Sequence, residues 1–239
     1  MTPAAVFLRQ GRMRAALRKG YYAAMQVAEC RLFGSKLQEL RWRIHRVYER
    51  SDDHLHRAFL VERIGRFAPF ESVLEVGCNC GSNLAALAQA YPAVKLYGVD
   101  ISAKAIRAAK TTLAARETAP PVDLFVGRAE DLRRFADHSV DIVLTDATLM
   151  YVGPDRITAA IAELTRVARR MLVLNEWHLF RDVSSERAHW HYYHWVHDFR
   201  EALRGVPGVK AFRVERLPPG LFEAGGGWER YGAWMEVET

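Results

Sequence analysis

Several polar side chains sit where apolar runs end, the place where ligands meet the edge of a parallel sheet. Glu75 lies within Val73-Leu74-Glu75-Val76 and is followed by the tight turn Gly77-Cys78-Asn79-Cys80-Gly81. Asp100 closes the run that begins at Val94, and Asp146 follows the run Val140 to Thr145, with Tyr151 beyond it. His178 comes shortly after the run Arg170 to Asn175. A glycine-containing turn that opens a helix can bring backbone N–H groups and a helix N-terminus to a nucleotide-like ligand. An acid about twenty residues past such a turn is placed to accept from ribose hydroxyls. A histidine with an ordinary pKa near 6.5 can serve as a general base.

The elements that must carry these residues alternate. Strand patterns cover 72–77, 95–100, Val122 to Val126, Val140 to Thr145 and Arg170 to Asn175. Helical patterns fall between them. One runs from 81 to about 90 and stops before Tyr91-Pro92. A second, N-capped by Ser102, runs to about Arg116. A third follows Gly153-Pro154-Asp155 with the stripe Ile157, Ile161, Leu164 and Val167. A fourth helix is expected from about Ser184 to Leu203, dense in His, Trp and Tyr. Two β-like runs, 209–217 and 230–238, close the chain. This order predicts an α/β fold, a doubly wound, mostly parallel seven-stranded sheet with an antiparallel last strand.

Before the first strand, residues 4 to 50 have helical spacing, and a further helix is expected to begin at Ser51-Asp52-Asp53, carrying His54, His56 and Arg57 and ending near Gly65. We therefore divide the chain into a basic helical cap, 1–65, and a ligand-binding domain, 66–239. The net charge is +6 over 239 residues, but residues 1–50 hold eleven Lys/Arg against three Glu. The basicity belongs to the cap, where it suits a nucleic acid, an anionic membrane surface, an acidic substrate or simply a solvated helix face. Three cysteines, Cys30, Cys78 and Cys80, form no disulfide framework and too few ligands for zinc. No apolar run approaches the roughly 20 residues that cross a bilayer, and a cytoplasmic protein is expected.

The turn reads G-x-N-x-G from Gly77, with Glu75 before it. It thereby resembles the first motif of the class I S-adenosylmethionine (SAM) dependent methyltransferases, (D/E)-x-G-x-G-x-G, with Asn79 in place of the middle glycine. Asn tolerates a left-handed backbone better than other non-glycine residues, so the turn can survive. Four further segments resemble the family in order. They are Leu96 to Asp100 with Ile101-Ser102, Gly127-Arg128-Ala129-Glu130-Asp131-Leu132, Ser139 to Asp146, and Glu163-Leu164 with Arg166-Val167. The resemblance implies SAM as cofactor, contacted by Glu75, Gly77, Cys78, Asn79, Gly81, Asp100, Ile101, Ala129, Glu130 and Asp146. Arg128 stands where the family has an Asp, so adenine recognition would rest on the Ala129 backbone and Glu130. A nicotinamide-binding reading lacks its third glycine at the required spacing.

For the transfer itself, Asp146, Tyr151 and His178 are the expected catalytic residues. His178 would be the base, and Tyr151 would contact the sulfonium or the acceptor; alternatively Asp146 only caps local N–H groups and His178 is a surface residue. The oxygens of Asp146, Asn175 and Glu176 could form a Mg²⁺ site, and His191 with His194 at i, i+3 could form a metal pair. No resident metal is expected, and the aromatic helix is read instead as a wall of the acceptor pocket or as packing. Gly225 to Gly227 reads as a mobile loop or a plain connection. Segments marking base amino-group, cytosine C5 and arginine methylation are missing, which leaves a small-molecule acceptor. A hydroxyl of a sugar or secondary metabolite is expected, on a monomer or homodimer. The alternatives are an RNA methyltransferase that tracks phosphates with its basic segment, a non-catalytic SAM-binding partner subunit, and a membrane-surface enzyme.

Overall fold

The computed structural model describes residues 55–116, 121–182, 188–191, 194–222 and 226–239. The expected helices of residues 4–50 and the Ser51 N-cap lie outside these residues.

Helix α1 (Leu55–Gly65) precedes strand β1 (Ser72–Val76), then α2 (Ser82–Ala90), β2 (Lys95–Asp100), α3 (Ala103–Ala115), β3 (Asp123–Val126) and β4 (Val140–Asp146). A short 3-10 turn, Leu149–Tyr151, leads to α4 (Ile157–Val167) and β5 (Ala168–Trp177). There follow β6 (Ala188–His191), β7 (His194–His197), α5 (Phe199–Leu203), β8 (Ala211–Arg216), α6 (Gly227–Tyr231) and β9 (Gly232–Glu238). Seven strands form one sheet in the order β3-β2-β1-β4-β5-β9-β8, with β9 antiparallel to both β5 and β8. Both reversals of strand direction follow from the hairpin-like return at the end of the chain. The doubly wound expectation, with its antiparallel last strand, is met.

The parallel strands are apolar because both faces are covered. On one face, Val73, Ile142, Leu144 and Val173 pack against Leu60 and Ile64 of α1 and Leu84 and Leu87 of α2. On the other, Leu74, Val143, Leu172 and Leu174 meet the buried stripe Ile157, Ile161 and Leu164 of α4, with Phe199 and Leu203 of α5. Ser102 caps α3 as its sequence predicts, its Oγ accepting from the Ala105 N–H at 3.2 Å. Helix α1 is tied to the antiparallel edge by Arg63, which pairs with Glu215 at 2.9 Å and with Glu236. Its Leu60 and Ile64 pack against the sheet.

One helix is corrected. Within the segment expected as a helix from Ser184 to Leu203, Ala188–His191 and His194–His197 are instead the antiparallel strands β6 and β7, with Trp190 opposite Trp195 and His191 opposite His194. Aromatic and β-branched residues fit a pleated surface. The helix begins only at Phe199, where the Asp198 carboxylate accepts from the N–H groups of Arg200 and Glu201. His191 and His194 are thus cross-strand neighbours and not a turn apart on one helix. Gly226 and Gly227 likewise begin a short helix, α6. A Cβ on Gly227 would stand 2.3 Å from the Trp177 ring. No helix among the described residues is long and apolar enough to cross a membrane.

Candidate active site

Register brings the acids together. Glu75 pairs with Leu144 of β4 and Gly98 of β2, and Asp146 pairs with Asn175 of β5. Side chains alternate along a strand, so Glu75, Asp146 and Asn175 share the face covered by α1 and α2. Asn83, on the first turn of α2, spans two of them. Its Nδ2 lies 2.8 Å from Glu75 Oε1 and 2.8 Å from Asp146 Oδ2. Asn175 Nδ2 donates to Asp146 Oδ1 at 2.8 Å. From α1, His56 Nε2 reaches Asp146 Oδ2 at 3.2 Å.

The turn after β1 depends on left-handed backbone. Asn79 has φ 46°, between Gly77 at 85° and Gly81 at 81°. The replacement of the middle glycine is a tolerated variant of the motif. Gly77 has a second reason to lack a side chain, because a Cβ there would lie 1.9 Å from Thr148 Oγ1. One expectation is corrected. The N–H groups of Gly77 and Cys78 both donate to the Val99 carbonyl, at 2.7 and 3.0 Å, and that of Gly81 donates to the Cys78 carbonyl at 2.8 Å. The Asn79 N–H donates to Asp100 Oδ2 at 2.9 Å. These four donors are consumed inside the protein.

Asp100 accepts from Asn79 and, through Oδ1, from the Ser102 N–H at 2.8 Å. Burial nevertheless raises its pKa. Glu75 is pushed up to about 8 by burial; Asp146 and Asp100 add to the rise, while the Asn83 hydrogen bond and Arg57 oppose it. Asp146 is also buried, yet the hydrogen bonds from His56, Asn83 and Asn175 outweigh that cost and hold its pKa below the ordinary carboxylate value. Glu75 Oε2, Asn83 Oδ1 and Asn175 Oδ1 are buried with no hydrogen-bond partner among the described residues. The group is rich in acceptors and poor in donors.

Ala147 has φ 52°, a conformation costly for a residue with a Cβ. It turns the chain so that the N–H groups of Thr148, Leu149 and Met150 converge on the Glu176 carboxylate, at 2.8, 2.9 and 3.3 Å. Burial lifts Glu176 to about 7 despite those bonds. Glu176 therefore anchors the loop from the opposite face of β5 and does not join Asp146 and Asn175 in a cation site. No group of three His, Cys, Asp or Glu among the described residues is arranged to hold a metal ion.

His178 is also corrected. It is fully buried on the far face of β5, with Nδ1 accepting from the Phe199 N–H at 3.1 Å and Nε2 2.9 Å from Arg200 Nη1. Burial and the neighbouring Arg200 push its pKa down to about 4. It is not brought to the cleft. The Tyr151 hydroxyl lies 3.1 Å from His194 Nε2. Rings continue from there through Trp177, Trp228 and Phe222 to His56, with neighbouring centroids 4.5–6.0 Å apart. Glu130 is held by Arg156 at 2.7 Å, and Ala129 is buried. Half-buried Ile101 follows Asp100. Sequence reasoning missed His56, Asn83 and Trp177 as parts of this site.

Residues 73–171 match the family described as a methyltransferase domain. This segment is similar to a methyltransferase domain. A protein of Streptomyces fradiae described as an uncharacterized 37.1 kDa protein in transposon TN4556 is 33% identical over 102 residues, 42% of this chain and 28% of that protein. The chain thus spans well under half of that relative. Among solved structures, magnesium protoporphyrin IX methyltransferase from Synechocystis PCC 6803 with bound SAM superposes with TM-score 0.60 at 18% identity, covering 82% of this chain and 89% of that one. A putative methyltransferase of Haloferax volcanii, solved in complex with the Trm112 activator, superposes with TM-score 0.62 at 18% identity, covering 84% and 96%. These structures share the methyltransferase fold.

The family's cofactor is SAM, and the residues present fit it. Its ammonium and sulfonium are cations that suit the acceptor group of Glu75, Asp146, Asn83 and Asn175.

Proposed function

We propose that the protein transfers a methyl group from SAM to a hydroxyl of a small-molecule acceptor. The observation that carries this reading is the inward use of the turn's N–H groups beside three buried or half-buried carboxylates. That arrangement favours a positively charged ligand over a dinucleotide.

Glu75, Asp146, Asn83 and Asn175 hold the ammonium of the methionine end, and Arg57 offers that end's carboxylate a cation. Asp100 retains lone pairs for the ribose hydroxyls, since each oxygen has accepted only one N–H. Ile101, Ala129 and Glu130 border the adenine. SAM supplies a methyl group on a positively charged sulfur. In this reading Tyr151 and His194, 3.1 Å apart, face the acceptor hydroxyl, and the pair takes up its proton, the phenol passing its own proton to the imidazole. The rings of Trp177, Trp228 and Phe222 exclude water from that approach. Small acceptors are compatible with this fold, as the porphyrin methyltransferase illustrates.

Calorimetry with S-adenosylhomocysteine tests the cofactor half, and absence of binding defeats the reading. Transfer of labelled methyl from SAM to a fraction of a small-molecule extract tests the other half. Label found only on RNA would replace the small-molecule acceptor with a nucleic acid.

A further inference from the structure

Glu75 is the most buried acid of the cleft, and its surroundings are incompatible with a carboxylate that stays charged. Only Oε1 has a donor, the Asn83 amide, while Oε2 is buried with none among the described residues. A buried ionised oxygen without a donor is costly. The charged groups facing it come from three elements. Asp146 at the end of β4 and Asp100 at the end of β2 oppose its ionisation, and Arg57 of α1 favours it. From α2 it receives only the neutral Asn83. Asp146 has its own three donors, His56, Asn83 and Asn175, so it is the acid that keeps the negative charge.

We infer that Glu75 is a neutral carboxylic acid until the methyl donor binds, and that it gives up its proton when the cationic methionine end arrives. The inference rests on the SAM reading above. The exchange balances: the acid loses one proton to solvent, its O–H bond pair remains on the carboxylate, and the bound ammonium supplies the missing donor. Binding is thereby coupled to pH, tightening as solvent becomes able to take the proton. The buried pKa near 8 agrees with this direction.

The experiment is calorimetry of S-adenosylhomocysteine binding to the full chain near neutral pH, in buffers that differ in ionisation enthalpy. The wild type should release close to one proton per ligand, and its affinity should rise roughly tenfold per pH unit below the acid's own range. Glu75→Gln should bind without that release. An infrared difference spectrum of the wild type supplies a readout free of any variant, in which a carboxylic-acid C=O band should disappear on binding. Binding without proton release, release that persists in Glu75→Gln, or an unchanged acid band overturns the inference. Absence of any binding by the wild type would instead sink the SAM reading itself.

Discussion

His56 Nε2 lies 3.2 Å from Asp146 Oδ2. A helix outside the matched domain segment, 73–171, thus fixes the acid at the end of β4. The contact orients both partners, because the imidazole must carry its proton on Nε2 to donate to a carboxylate. Phe222 lies against the imidazole, with ring centroids 5.4 Å apart and planes 27° apart. His56→Ala removes one of the three donors to Asp146. It should weaken S-adenosylhomocysteine binding about three- to tenfold, the scale of one hydrogen bond of about 0.5–1.5 kcal/mol. His56→Gln, which can still donate, should recover part of that loss. Equal affinities by calorimetry for the wild type and His56→Ala would mean that Asn83 and Asn175 position the acid alone.

Gly77 joins two constraints at one position. Its φ of 85° disfavours any Cβ, and that Cβ would fall 1.9 Å from Thr148 Oγ1. Gly77→Ala should therefore destabilise the fold by more than the roughly 1–3 kcal/mol of a strained backbone alone. Adding Thr148→Gly relieves the collision but not the dihedral. The double variant should regain part of the lost stability, and a urea-unfolding cycle reads the coupling between the two sites. Additive losses would show that Thr148 moves aside at no cost.

At Asn79 only the dihedral is at issue. With φ 46° and its N–H bound to Asp100, Asn79→Gly should keep the turn and the cap on the acid. Asn79→Val should cost about 1–2 kcal/mol, the penalty for a left-handed residue with a Cβ. It should also weaken cofactor binding, because Asp100 loses its fixed orientation. Equal midpoints for the two variants in denaturant would show that the loop re-forms with another dihedral.

The legible parts of the molecule were those written in local periodicity. Short, mostly apolar runs marked β1, β2 and β4. Ser102 marked the start of α3, and the stripe Ile157, Ile161, Leu164 and Val167 marked α4. Asp100 and Asp146 could be placed because acids at strand ends need no knowledge of packing. His178 failed for a reason of parity. β5 runs on to Trp177, two residues past its expected end, and this sends Trp177 toward the cleft and His178 to the other face. The 188–197 segment failed because a dense aromatic run carries no clear period, and only Asp198 announces the real helix. His56 was invisible as a site residue because its partner is far along the chain and no spacing rule links the two.

The same parity governs acid stability. His178 and His197 are both buried, and burial holds each pKa down to about 4. His197 also bonds the Val152 carbonyl through Nε2 at 2.9 Å, and this fixes its neutral form as an N–H donor. In the unfolded chain both take up a proton near pH 6.5, their ordinary value. Between about pH 6.5 and 4 the unfolded state binds more protons than the folded state, so stability falls as pH drops through that window. Glu75 and Glu176 act in the opposite sense. Their folded values near 8 and 7 mean that the folded state binds the extra proton, and stability falls as pH rises above about 4.5 toward them. The wild type should therefore be most stable inside the mildly acidic range rather than at its basic isoelectric point. Replacing both histidines by Gln should flatten the acid limb alone, and Glu75→Gln should flatten the alkaline limb alone. Unfolding midpoints measured across pH for the three proteins separate the two effects. An acid limb unchanged in the His178→Gln/His197→Gln protein would place the acid sensitivity in other groups, the paired carboxylate of Asp146 first among them.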